Sequence, residues 1–240
     1  MPPNEQTIPS VWTRPRRKEQ PALSRERIVA EAVLLLDTAG IEALSMRTLG
    51  TRLGAGATSL YRHVASKDEL IELVVDEVYG ELTVPDAPDA TAWRTAATET
   101  AYGLRAMVLR HPWMTSVLGQ VGLAYLGPNL MRQSERILAV FQAAGLPGQE
   151  ADQAMKTLIA YVLGMATSEA AYLSVLARSG QDEHEWVESL RPAAEQAAKD
   201  HPRLLAGYAA QHGSNPGRQR EDAFDYGVQR VLDGLATRLR

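Results

Sequence analysis

Apolar residues recur through most of this chain at intervals of three and four, the spacing of one face of an α-helix. The first stripe is Ile28, Ala32, Leu35, Leu36 and Ala39. Ser24 precedes it as an N-cap and Gly40 follows it as a stop. Arg27 stands where a capping box would carry Glu, so the box itself is absent. Ser45 predicts the cap of a short helix over 46–53, with Leu49 and Leu53 inward and Gly54 breaking it. Ala57 to Val64 predicts a third helix with Leu60 and Val64 inward. Ser66 caps a fourth, Lys67 to about Leu82, whose stripe is Leu70, Leu73, Val74 and Val78. Asp68 and Glu69 in its first turn suit the positive end of the helix dipole.

The segment Thr83 to Ala90, TVPDAPDA, reads as a linker. Beyond it Trp93, Ala97, Ala101, Leu104 and Val108 mark one helix, and His111-Pro112-Trp113 opens a short one. Pro128 opens another, with Leu130, Ile137, Leu138 and Phe141 inward. Gln149 to about Arg178 predicts a long helix, apolar nearly all round in its middle and therefore expected to be buried on more than one side. An acidic stretch from Ser179 to Pro202 is read as helical in part, and 212–217 as a loop. Phe224, Val228, Val231, Leu232, Leu235 and Leu239 share one face of a last helix. No period-two alternation between hairpin turns is found, and no internal repeat, so an all-α fold is expected. Its parts are a basic arm over 1–23, a three-helix helix-turn-helix domain over 24–82 and a larger helical domain over 91–240.

Composition narrows the chemistry. The 240 residues include no cysteine, which excludes disulfides, thiolate metal sites and cysteine nucleophiles. The first residues, MPPNEQTIPS, lack the basic and apolar regions of a secretory signal. The longest strongly apolar run, Leu158 to Ala166, is far below the roughly 18 residues of a membrane span. A cytoplasmic protein with no membrane partner is expected. The net charge of −4 is unevenly distributed. Residues 1–67 hold 10 Lys/Arg against 6 Asp/Glu, and residues 68–240 hold 15 against 23. A basic head on an acidic body fits phosphate binding at one end. The arm, with Arg14, Arg16, Arg17 and Lys18, reads either as a reach toward DNA or as a solvated tail.

Two short helices joined by a glycine-bearing turn form the helix-turn-helix pattern, although such pairs also occur in helical proteins that bind no DNA. The second helix of such a pair enters the major groove by its N-terminal side chains. Here those are Ala57, Thr58 and Ser59, a methyl for thymine and two hydroxyls that donate or accept. Arg47 is placed for a bidentate guanine contact, and Tyr61, His63 and Lys67 for phosphate. Arg62 lies between Tyr61 and His63 and completes the DNA-facing set.

The runs LSMRTLGTRLG (Leu44–Gly54), ATSLYRHV (Ala57–Val64) and SKDEL (Ser66–Leu70) resemble the tetracycline-repressor (TetR) family. The most specific part is Leu-Tyr-x-His-Val-x-x-Lys-x-x-Leu, Leu60 to Leu70, and the resemblance covers about residues 24–82. It implies base contacts by Arg47, Thr58 and Ser59 and phosphate contacts by Tyr61, His63 and Lys67. Gly56 and Ala57 depart from the longer polar side chains of several members. Further along, His111-Pro112-Trp113, Gly127-Pro128-Asn129, Glu135, Ala144 to Leu146, Tyr161 to Gly164, Phe224 to Gly227 and Leu232 to Leu235 are similar to the family's C-terminal domain. This implies a helical ligand-binding domain whose long and last helices form a four-helix dimer bundle.

A homodimer also follows from the uncovered apolar faces of the last two long helices, the alternative being an ordinary intrachain core. For a ligand pocket the aromatic and Met residues Trp93, Tyr102, Trp113, Met114, Met131, Phe141, Met155, Tyr161, Met165 and Tyr172 are candidates, with Arg105 and Glu169 as orienting charges. The expected function is a regulator, released from palindromic double-stranded operator DNA by a small apolar or aromatic effector. Ligand binding would shift the segment 111–118 against the end of the helix that begins at Lys67. No cofactor is expected. The alternative is a helical enzyme or metal protein, for which Asp182-Glu183-His184-Glu185 is the richest cluster. No His-Glu-x-x-His, phosphate loop or Gly-x-Ser-x-Gly accompanies it, so a non-enzyme is expected.

Overall fold

The computed structural model describes residues 22–117, 119, 125–211 and 213–239. The expected arm falls outside these residues but for its last two positions. Ten α-helices follow one another, and no strand occurs among the described residues.

The head is built on local caps. In α1, Arg25–Ala39, the Ser24 hydroxyl accepts from the Arg27 amide at 3.3 Å, and Gly40 ends the helix at φ 75°. Ser45 caps α2, Met46–Leu53, by accepting from the Thr48 amide at 3.0 Å. Gly54 closes it in the left-handed region, φ 66°. The next helix, α3, is a single turn, Ala57–Leu60, shorter than the expected reach to Val64. Tyr61 to His63 tighten into turns instead, because the Ser66 cap of α4 begins two residues after Val64. Val64 still points inward, its amide donating to the Leu60 carbonyl at 3.0 Å. Ser66 accepts from the Glu69 amide, and the Glu69 carboxylate reaches back to the Ala65 amide at 2.6 Å. The fourth helix, α4, is Lys67–Gly80. Its apolar stripe closes the head core with Ile28, Leu36, Leu49 and Leu60, all fully buried.

The expected linker is anchored at its start. Leu82 and Val84 are buried, and the Gln133 side chain donates to the Leu82 carbonyl at 2.7 Å. The body comprises α5 (Trp93–Arg110), a 3₁₀ turn over Pro112–Ser116, α6 (Pro128–Ala143), α7 (Gly148–Ser179), α8 (Glu183–Ala197), α9 (Pro202–Ala210) and α10 (Pro216–Ala236). α5 is central and packs on α6, α7 and α10, while α4 packs on α6 and so joins head to body.

One expectation is corrected. α7 is buried on a single face, the stripe Ala151, Ala154, Leu158, Val162, Ala166 and Ala170. Of its most apolar 18 residues only 22% are buried. Small side chains let α5 approach that stripe, and α6 and α10 also pack on this helix. By length and composition α7 is long and apolar enough to cross a membrane, although its longest unbroken apolar run is short. α8 and α9 hold no buried residue, and Pro192 interrupts the amide ladder of α8.

Candidate functional site

The helix-turn-helix presents a polar rim over an apolar floor. Arg47, Thr58, Arg62 and Lys67 are exposed, and Tyr61 is 51% exposed. Ala57, Ser59 and His63 are half-buried, the first two on a helix held from beneath by Leu60. None of the sequence-derived DNA-facing residues is lost to the core. The turn is set by a close approach that the pattern did not reveal. A Cβ on Gly50 would lie 2.8 Å from the Ala55 carbonyl oxygen and 3.3 Å from the Ala57 amide nitrogen. The α2 backbone therefore touches the start of α3 directly, and only glycine permits that spacing. Arg25 was also missed: its guanidinium donates to the His63 carbonyl at 3.3 Å and joins α1 to the end of the reading turn. No sequence signal could have paired residues 38 apart.

In the body, a cavity of about 930 Å³ opens between α5, α7 and α10. Tyr102, Arg105, Leu109, Glu169, Arg218 and Glu221 are among its walls. Arg105 and Glu169 form a bidentate pair, both bonds 2.7 Å, with each side chain only 10% exposed. The Arg105 guanidinium lies 4.8 Å above the Phe224 ring, which also meets the rings of Tyr102 and Tyr161. Arg220 extends the network, donating to Glu169 at 3.2 Å and to Glu183. Burial alone would raise the Glu169 carboxyl. Hydrogen bonds and charge from Arg105 and Arg220 outweigh it and hold the group below the usual carboxylate range.

The ten pocket candidates do not converge on this cavity. Tyr102 lines it, and Tyr161 lies just behind, donating to the Phe224 carbonyl at 3.1 Å. Tyr172 lines a second, smaller cavity. Trp93 and Phe141 pack together in the α5–α6 core at 6.3 Å, and Trp113 and Met114 are buried in the 3₁₀ turn. Met155 and Met165 are partly buried on α7, and Met131 is 42% exposed on α6. Arg105 and Glu169, named from the sequence as separate candidate orienting charges, both line this cavity and pair with each other. Its lining is polar, where the sequence suggested apolar walls. Periodicity ranks positions by burial, whereas a cavity depends on which helices diverge.

Head and body meet through carboxylates of the head. Asp37 in the last turn of α1 accepts from His111 Nδ1 at 2.7 Å and from Trp113 Nε1 at 2.8 Å. His111, 3% exposed, faces Glu81 with its other nitrogen at 3.2 Å. Glu81 also accepts from Arg110 at 2.5 Å. Burial works against the charge of Glu81, but the bonds and charges of His111 and Arg110 prevail and lower it. Further on, Asp76 of α4 accepts from the Leu130 amide at 2.9 Å and from the Asn129 side chain at 3.1 Å. A head carboxylate thus caps the N-terminus of α6 from outside the helix. α5 connects the two regions: Leu109 lines the cavity two residues before His111 enters this clasp.

The acidic cluster at 182–185 has structural partners. Asp182 caps α8 through the His184 amide at 2.9 Å, and Glu183 accepts from Tyr172 at 2.8 Å and from Arg220. Among the described residues no group of three or more His, Cys, Asp or Glu could hold a metal ion.

Residues 28–74 match the family described as bacterial regulatory proteins, tetR family, and residues 84–239 match the tetracyclin repressor-like C-terminal domain. An HTH-type transcriptional regulator of Saccharopolyspora erythraea is 33% identical over 95% of this chain and 91% of its own length. The HTH-type transcriptional repressor DrrR1 of Streptomyces coeruleorubidus is 32% identical, covering 95% of this chain and 84% of that protein. Among solved structures, the Streptomyces coelicolor TetR family protein ActR in complex with actinorhodin superposes with a TM-score of 0.74 at 28% identity. The superposition covers 90% of this chain and 97% of that one.

Proposed function

The chain belongs to the TetR family of DNA-binding transcriptional regulators, and on that premise we propose that it is a homodimeric repressor released from a palindromic operator by a small molecule held between α5, α7 and α10. The observation that carries this reading is the continuity of α5, whose cavity wall runs directly into the His111 clasp on the head. Occupancy of the cavity that displaces the end of α5 re-aims α1 and α4, and with them the spacing of two heads. The effector must favour the released state by a few kcal/mol to switch occupancy. ActR, solved with actinorhodin, supports a ligand-responsive body. The polar walls call for an effector bearing hydrogen-bonding groups on its ring system.

The head, 24–82, reads bases with Arg47, Ala57, Thr58 and Ser59 and grips phosphate with Tyr61, Arg62, His63 and Lys67. The exposure of Arg47, Thr58, Tyr61, Arg62 and Lys67 supports those roles. The dimer forms on α7 and α10. The unburied apolar face of α7 and the open surroundings of Gly164 and Gly234, where helices can approach closely, support this assignment. The protein acts in the cytoplasm, where the operator lies.

The test is selection of duplexes from a random library with the purified protein, followed by footprinting. Two half-sites about 34–36 Å apart or a multiple are expected, with affinity falling steeply in salt. Enriched duplexes without two-fold symmetry, or base preferences unchanged in T58A and S59A, would overturn the proposal.

A further inference from the structure

A second cavity, about 230 Å³ and open to solvent on one side, lies on the other side of the first turns of α10, lined by α7, α8, α9 and α10. Its walls carry three rings, Tyr172, Trp186 and Tyr208, with Val187, Leu190 and Ala194 between them. Tyr172 and Trp186 meet edge-to-face at 5.2 Å. Arg220 forms the partition from the main cavity: it lines that cavity and sets its guanidinium 5.1 Å from the centre of the Tyr172 ring. Tyr172 donates to Glu183 on the same partition at 2.8 Å. Burial and that bond push the Tyr172 hydroxyl up to about 12, so it remains a neutral donor at physiological pH.

The helices over this space are weakly packed. α8 and α9 contribute no buried residue, and Leu190, Leu204 and Leu205 are 47%, 56% and 37% exposed. The rings therefore line a space that the chain's own side chains leave unfilled. Its volume exceeds the about 150 Å³ at which an apolar cavity takes benzene, and with one side open to solvent it accommodates one or two fused rings. The charged groups at its edge, Glu188 and Arg191, are bound to each other at 2.9 Å. Nothing there favours an ionic ligand, while the Gln211 and Gln219 side-chain amides offer hydrogen bonds to a hydroxyl or carbonyl, Ser214 being engaged with both residues.

We infer that this compartment is a second small-molecule site, specific for an uncharged mono- or bicyclic aromatic carrying one hydrogen-bonding group. It is separate from the main cavity and does not depend on the role proposed for it. The probe is 2-naphthol, titrated into the full-length protein by calorimetry and tryptophan fluorescence. One molecule per chain is expected, with quenching that is lost in W186F. Ala194→Phe fills the compartment and weakens binding at least tenfold, whereas Ala106→Phe, which fills the main cavity instead, leaves the affinity within twofold. Circular dichroism verifies the fold of each variant. If A194F does not fold, V187F fills the same space from another wall. Unchanged affinity in the filled variants, loss of binding in A106F, or no binding by the wild-type protein overturns the inference.

Discussion

Replacing Asp37 with Ala removes one carboxylate that serves two buried donors. Trp113 is 4% exposed and His111 3%, and both point an N–H at the same Asp37 oxygen at 2.8 and 2.7 Å. A buried donor left unsatisfied costs about 1–3 kcal/mol. Asp37 itself is 26% exposed, so water partly replaces it, and His111 keeps Glu81 on its other face. About 1 kcal/mol for His111 and about 2 for Trp113 give roughly 3 kcal/mol in all. For a chain of this size each kcal/mol shifts Tm by about 2–4 °C, so D37A should melt about 6–12 °C below wild type. The assay is calorimetric melting at one fixed protein concentration, since the Tm of any chain that self-associates depends on it. Thr38→Ala beside it, where the hydroxyl only back-bonds to the Leu34 and Leu35 carbonyls of its own helix, is the control and should fall within about 0.5 kcal/mol. In a cycle with W113F the two substitutions should couple by at least about 0.5 kcal/mol. A D37A melt within about 2 °C of wild type, or additive effects with W113F, would refute the clasp as the head–body link.

Four other outcomes are expected. Gly50→Ala forces a Cβ against the Ala55 carbonyl, so operator affinity should fall at least about tenfold, with a loss of stability of about 1–3 kcal/mol typical of overpacking; gel-shift titration and melting read the two effects. Lys67→Ala should weaken all duplexes alike and lower the salt slope of binding by about 1, measured by anisotropy over a salt series. Arg105→Ala leaves Glu169 buried with Arg220 alone, so denaturant unfolding should show a loss of about 3 kcal/mol, the low end for a broken buried pair. Glu169 and Glu81 both ionise more readily when folded than when unfolded. The unfolded chain therefore takes up their protons first as pH falls, so their stabilisation is complete above the ordinary carboxylate range. It is lost progressively as pH drops through their lowered folded values. Melting between pH 7 and 3 should be less steep in E169Q than in wild type.

The readable part of this protein is local. Ser24, Ser45 and Ser66 each cap a helix through an amide three residues on, and Gly40 and Gly54 each end one at positive φ. Those interactions lie within one turn of chain, so side-chain chemistry and spacing suffice to predict them. The exposure of Arg47, Thr58 and Lys67 follows from the same reasoning, because Leu49, Leu53 and Leu60 claim the inner face. α7 misled because an apolar stretch states that a face needs cover without stating whether the cover is in the same chain. α9 was missed because it buries nothing and carries no stripe.

The sequence alone determined the caps and glycine stops of α1 and α2, the cap of α4 and the inward face of each helix in the head, since capping and periodicity act over three to eight residues. Tertiary structure alone decided where the cavities open and how the body holds the head. Arg105 meets Glu169 across 64 residues, Arg220 meets Glu183 across 37, and Asp37 meets Trp113 across 76. No local preference encodes such pairs. They arise when the Ala-lined face of α7 lets α5 settle against it and that packing carries the ends of distant helices together.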